Sequence, residues 1–225
     1  MKDSESRSLD MLRRVRDLCA THAAQFPAGS KGKELLDALE QEINGLEEHA
    51  ATQTSGKSTA QQGTGSRDDA RQSLYRQLKA INLTAHSLAF ETPGLDDKFR
   101  MPRGNNDQNM LNTARAFATD AAPLKTQFIQ YEMPATFPED LDAAIEAFEQ
   151  AITSQNQGQQ SALISTASLG ASTERGVSLV RQLDAIVRNK FRDDPATLAA
   201  WESATHIERA PKGKATQPKP PEAAR

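Results

Sequence analysis

The sequence predicts an all-α protein: an elongated antiparallel helical bundle built by internal duplication of a three-helix unit. Three observations lead there. Apolar residues recur at three- and four-residue steps through most of the chain, the spacing that lines side chains along one helix face. Residues 73–81 read SLYRQLKAI and residues 178–186 read SLVRQLDAI, identical at seven of nine positions at an offset of 105. Hydrophobic residues make up 37% of the 225 residues and aromatics only 5%. That composition describes a thin aliphatic core, which suits helical hairpins better than a thick α/β core.

The elements follow in order. Met11, Leu12, Val15, Leu18, Cys19, His22 and Phe26 share one face, predicting a helix over residues 3–25 that Pro27 and Gly29 stop. Ser30 is the expected N-cap of a second helix whose stripe is Leu35, Leu36, Leu39, Ile43 and Leu46. Residues 51–66, ATQTSGKSTAQQGTGS, contain three glycines and no large apolar side chain, and read as a loop or hairpin tip, with helix over part or all of the stretch as the alternative because a structureless loop of this length is uncommon. Ser66 then caps a third helix carrying Leu74, Leu78, Ile81, Ala85 and Leu88. Residues 92–106 hold two prolines and two glycines and read as a connector.

The second half repeats the plan. Met110, Leu111, Ala114, Phe117, Ala121, Leu124 and Phe128 predict a helix over residues 107–131, broken or kinked at Pro123, which lacks the N–H donor. Another begins after Phe137 with Pro138 in its first turn and runs through Ile152. SQNQGQQ, residues 154–160, reads as a second polar tip. A helix over residues 161–192 follows, with a disturbance expected at Gly170, and Asp193-Asp194-Pro195 opens a short last helix with Leu198 and Trp201. Residues 210–225 hold four prolines and no apolar pattern, a composition that predicts disorder.

The repeat extends beyond its best block. ALEQEI at residues 38–43 matches AFEQAI at 147–152 at an offset of 109, and Met11, Leu12 and Arg16 match Met110, Leu111 and Arg115 at an offset of 99. The expected organisation is a three-helix unit over 1–91, a connector over 92–106, a second unit with a short extra helix over 107–208, and a basic Pro-rich tail over 209–225.

Charge and cysteine content narrow the function. The formal net charge is −3, but the segment from Arg209 onward carries net +4, leaving −7 on residues 1–208. An acidic body argues against nucleic acid as the main partner. The lone Cys19 excludes an intrachain disulfide and is compatible with a reducing cytosol. The first residues, MKDSESRSLDMLRR, lack the apolar segment of a secretory signal, and no run reaches the roughly 18 apolar residues of a transmembrane helix. A cytoplasmic location without a membrane partner is expected.

Each candidate for chemistry meets a simpler reading. SGKST, residues 55–59, resembles part of a phosphate-binding loop, but Ala51 stands where the motif needs glycine, and a helix rather than a strand precedes it. None of His22, His49, His86 and His206 has the Glu-x-x-His spacing of a di-iron bundle. Cys19 and His22 share a helix face, which suits a thiolate–imidazole pair or a partial metal site, but more simply two core-edge residues. The carboxylates of the second helix lie on its solvated side. Basic residues cluster near helix ends, and the tripeptide Lys-Phe-Arg occurs at both residue 98 and residue 190. Lys98, Arg100, Arg103, Arg188, Lys190 and Arg192 are therefore the candidate anion-binding residues, with dipole complementation at helix C-termini as the plainer explanation. No catalytic residue, metal or cofactor is expected.

HAATQTSGKSTA (residues 49–60), TPGLDDKFRMPRG (92–104) and AIVRNKFRDDPATLAAWESA (185–204) resemble stretches of a family of uncharacterised bacterial helical proteins. The resemblance covers most of residues 1–208. It implies a bacterial cytosolic helical protein and carries no activity, catalytic residue or cofactor with it. The expected function is thus a non-enzymatic structural or protein-interaction bundle, with a protein partner or a homodimer. The alternative is a nucleic-acid- or anion-binding protein acting through the basic tail and the Lys-Phe-Arg segments.

Overall fold

A computed structural model describes residues 1–208, and these are all-helical, with no strand among them. The elements are α1 (Asp3–Thr21), α2 (Lys31–Leu88), α3 (Leu95–Lys98), α4 (Asp107–Ala121), α5 (Lys125–Gln130), α6 (Phe137–Lys190) and α7 (Pro195–Thr205), with 3₁₀ turns at Ala23–Gln25 and Ala122–Leu124. The basic tail expected to be disordered lies outside the described residues. No helix among the described residues is long and apolar enough to cross a membrane.

Local chemistry accounts for the helix ends. The Glu5 carboxylate accepts from the Lys2 backbone N–H at 2.7 Å at the start of α1. Ser30 Oγ accepts from the Lys33 N–H at 3.2 Å, the expected cap of α2. Pro123 interrupts the helix where its missing donor requires: α4 stops at Ala121, a 3₁₀ turn carries the proline, and α5 resumes at Lys125. Pro138 sits in the first turn of α6, where it loses no intrahelical bond. Asp194 caps α7 by accepting from the Thr197 N–H at 3.1 Å, with Pro195 as its first residue. The connector contains one short helix, α3, entered through Gly94 at φ +89°.

The two polar tips are absent. Residues 51–66 lie inside α2, 58 residues long, and residues 154–160 lie inside α6, 54 residues long. Ser66 is therefore an interior helical residue and not a cap, and Gly170 does not disturb α6. The physical reason lies in what the glycines touch. A Cβ on Gly56 would stand 2.9 Å from the Ala162 nitrogen and 3.0 Å from the Gly158 oxygen. One on Gly158 would stand 2.7 Å from the Ala60 nitrogen, and one on Gly63 2.9 Å from the Gln155 Cα. These glycines let two helix backbones touch; they do not turn the chain. As residue numbers rise from 56 to 63 on α2, the facing numbers fall from 162 to 155 on α6, so these two segments run antiparallel.

A seven-residue rhythm persists through the glycine-rich stretches. On α2 every seventh position from Gly32 to Leu88 is buried or half-buried, including Leu39, Leu46, Gln53, Ala60, Arg67, Leu74 and Ile81. On α6 the same holds for Leu141, Phe148, Gln155, Ala162, Leu169, Gly176 and Leu183. The stripe is continuous, but in the middle of each helix its residues become small or polar. That loss of large side chains is what resembles a loop in the sequence.

The chain divides into two compact units whose boundaries are not those expected over 1–91 and 107–208. Among the described residues, one comprises Met1–Ala51 together with residues 165–208; the other is Thr52–Ile164. The first packs α1, the start of α2, the end of α6 and α7 around Leu12, Val15, Leu39, Ile43, Leu46, Leu169, Leu183 and Trp201, each no more than 2% exposed. The second packs the end of α2, α3, α4, α5 and the start of α6 around Leu74, Leu78, Ile81 and five phenylalanines. Phe99 meets Phe117 and Phe128 edge-on at 5.2 and 5.5 Å, and Phe128 meets Phe137 at 5.3 Å. The core of this unit is therefore more aromatic than the 5% composition suggests, because the aromatics are concentrated there.

Candidate functional site

The glycine contact decides which side of α6 faces outward. Ala162 turns its backbone toward Gly56, so the next two residues rotate by roughly 100° and 200° away from α2. Those residues are Leu163 and Ile164, and they are 71% and 61% exposed. The other large apolar residues of α6 are buried, as are Ile145, Phe148, Val180, Leu183 and Val187, or half-buried, as are Ile152, Val177, Leu179 and Ile186. Leu163 is flanked one turn back by Gln159 and Gln160, both exposed. Two adjacent branched aliphatic side chains on a polar surface form the candidate interaction surface. The signal for it is present in the sequence: counting sevens from Leu141 to Ala162 and Leu169 puts both residues off the buried stripe.

The six candidate anion-binding residues fall into two sets, one in each compact unit. Lys98 is exposed at the end of α3, and Arg100 pairs with Asp97 at 2.6 Å. Arg103 is exposed, and its carbonyl accepts from Asn109 Nδ2 at 3.3 Å. In the other unit Arg188 Nε reaches Asp184 at 2.9 Å and its Nη1 reaches Glu202 at 3.4 Å. Arg192 pairs with Asp193 at 3.1 Å, and the Lys190 ammonium lies 5.9 Å from the centre of the Phe26 ring. The recurring tripeptide has a common structural element, its phenylalanine: Phe99 is fully buried and Phe191 is 9% exposed. Each Lys-Phe-Arg thus anchors an aromatic ring in a core, and its flanking cations project outward.

The remaining candidates resolve into packing. Cys19 is buried, and burial pushes its thiol up to about 11. The His22 ring packs edge-on against Phe191 at 5.1 Å, so the Cys19–His22 pair lies at the margin of an aromatic core. Residues 55–59 are helical and Gly56 carries the backbone contact with Ala162, so SGKST forms no phosphate cradle. Among the described residues no three His, Cys, Asp or Glu side chains are grouped as metal ligands.

Sequence reading missed an ionic cluster in the unit over residues 52–164. Arg67 reaches Asp107 and also donates to Gln155 Oε1 at 3.0 Å, while Arg71 Nε lies 3.6 Å from the same Asp107. Its signal was Arg67 at a stripe position, seven residues before Leu74.

No family model, curated protein or solved structure matches the chain.

Proposed function

We propose that the chain is a non-enzymatic structural or protein-interaction protein, a cytoplasmic antiparallel helical bundle descended from a duplicated three-helix unit. The observation that carries the interaction reading is the Leu163–Ile164 pair, held outward by the backbone contact of its neighbour Ala162. Burying two such side chains against a partner is worth about 1.5–3 kcal/mol each before association costs. A second copy of the chain, presenting the same pair, is the simplest partner.

Duplication is supported by the matched segments. Each compact unit then combines the second helix of one repeat with the third helix of the other. The seven-residue spacing of buried positions on α2 and α6 supports coiled-coil packing of their facing segments.

Sedimentation equilibrium of the full chain, with Leu163→Glu/Ile164→Glu as control, tests the reading. Self-association lost in the double variant is expected. A wild-type monomer up to about 100 µM, with the same proteins captured from native cells by wild type and variant, would contradict it. The alternative, binding of nucleic acid through residues 209–225 and the Lys-Phe-Arg segments, requires affinity that falls steeply with salt and disappears on deleting the tail. The ion pairs of Arg100, Arg188 and Arg192 count against it.

A further inference from the structure

We propose that the cleft between α2, the connector and α4 binds a small organic oxyanion, a phosphate monoester or carboxylate carried on a flat apolar body. The cleft measures about 400 Å³, within the usual range for small-molecule sites. Four of its lining residues are Arg71, Gln72, Tyr75 and Arg76, which at steps of one, three and one share a face of α2. Pro102, Gly104 and Asn105 form the opposite wall, and buried Met110 contributes from α4. The lining holds two arginines and no carboxylate; Asp107, which pairs with Arg71, lies behind it, so the unneutralised charge of the wall is that of Arg76.

The two arginines are in different states. Arg71 is held by Asp107, yet its Nε is buried and makes no hydrogen bond; the 3.6 Å separation is an ion pair only. That Nε is turned to Asp107, so Arg71 offers a ligand only the part of its guanidinium that lines the cleft, a forked donor suited to the paired oxygens of a carboxylate or phosphate. Arg76 is exposed, and no side-chain hydrogen bond or ion pair joins it to any described residue. It supplies a second positive charge with no internal partner. Between them Tyr75 is 44% exposed, an aromatic face one helical turn from Arg71 and adjacent to Arg76. With Pro102 and Met110 it gives the flat apolar part of a ligand its contact surface.

The opposite wall is preformed. Asn82 Nδ2 donates to the Phe99 oxygen at 2.7 Å, and Phe99 is itself a core residue. Asn109 Nδ2 holds the Arg103 oxygen at 3.3 Å, Asn106 Oδ1 caps α4 at 2.9 Å, and Gly104 turns at φ +79°. A wall fixed at both ends lowers the ordering cost of binding. The site uses neither Leu163 nor Ile164 and stands apart from the interaction reading.

Amide NMR titration of the full chain with phenyl phosphate, benzoate and inorganic phosphate tests the assignment. Saturable shifts confined to residues 71–76 and 102–110 are expected with at least one aromatic anion, about tenfold tighter than with inorganic phosphate. The preference between phenyl phosphate and benzoate identifies the oxyanion. Arg76→Gln and Tyr75→Ala, both at exposed positions, are each expected to weaken binding about fivefold or more with unchanged thermal unfolding. Three results would overturn the proposal: no saturation by either aromatic anion below about 10 mM, equal affinity for inorganic phosphate, or binding indifferent to Arg76→Gln.

Discussion

Gly56 and Gly158 meet reciprocally: a Cβ built on either would lie 3.0 Å from the carbonyl oxygen of the other. Such contacts involve backbone on both sides, so no side chain can swing away to make room. The glycines are helical and gain nothing from conformational freedom. Their role is to be small.

This separates two kinds of glycine in one helix. Gly65 has nothing within 4 Å of a built Cβ, so Gly65→Ala removes only the helix penalty and is expected to stabilise by about 0.5–1 kcal/mol. Gly158→Ala gains the same propensity but forces α6 from α2, for a net loss of about 1–3 kcal/mol. Thermal or urea unfolding of the two variants gives the comparison. Equal stabilisation by both would show that the backbones do not touch.

Trp201, the only tryptophan, donates from Nε1 to Asp184 at 2.8 Å and is 1% exposed. Burial pushes the Asp184 carboxyl up, but hydrogen bonds from Trp201 and Arg188 outweigh it and leave the group below its ordinary value. Asp194, the cap of α7, is also held low, chiefly by the Thr197 hydroxyl and N–H. A carboxyl lowered in the folded state stabilises above its unfolded value, and that contribution fades as pH falls through the folded one. Tryptophan emission is expected to be constant from about pH 5 to 8 and to shift red below about pH 4. Asp184→Ala should cost about 1–2 kcal/mol by orphaning the buried indole N–H. A red shift centred near pH 6 would implicate histidine instead.

Asp107 is the shared acceptor of Arg67 and Arg71, with its side chain 16% exposed. The Arg115–Glu149 pair is more open, at 53% and 38%. Asp107→Ala is therefore expected to cost about 1–3 kcal/mol, below the value for a fully buried pair because the arginines retain some water. Glu149→Ala should cost under about 1 kcal/mol. Urea unfolding of each variant orders them, and the reverse order would place the structural weight on the wrong pair.

The Cys19 thiol, pushed up to about 11 by burial, should be nearly inert in the folded chain. At pH 8 its thiolate fraction is about 100-fold below that of a thiol with the ordinary value near 9. Labelling by a thiol reagent is expected to follow global unfolding and to reach free-thiol rates only in denaturant. The raised value also means that this group stabilises below the ordinary thiol value and loses that contribution as pH rises toward 11. Rapid native labelling at pH 8 would place Cys19 at the surface.

Helix ends and core stripes were legible in the sequence because caps and prolines act locally. Ser30, Pro123, Pro138 and Asp194-Pro195 all do what their chemistry dictates. The glycine-rich stretches were misread because a glycine that permits a turn and a glycine that permits backbone contact have the same letter. Only the partner across the gap, Gly158 for Gly56 and Gln155 for Gly63, distinguishes them, and it lies about a hundred residues away. Composition hid the aromatic cluster for the same reason: Phe99, Phe117, Phe128 and Phe137 are dispersed in the chain and adjacent in space. The basic candidates fall in two different units, and in each the Lys-Phe-Arg is organised around its phenylalanine. The cleft lined by Arg71, Tyr75 and Arg76 needs the connector wall, which no helical periodicity announces.

The central structural claim is that α2 and α6 run unbroken through residues 51–66 and 154–160. Hydrogen exchange followed by mass spectrometry over those two segments tests it most directly. The account predicts that both are protected to a degree comparable with the flanking helix, residues 39–46 and 141–148. Exchange at the rate of an unstructured chain in either segment, with its flanks protected, would contradict it and restore a hairpin tip at that place.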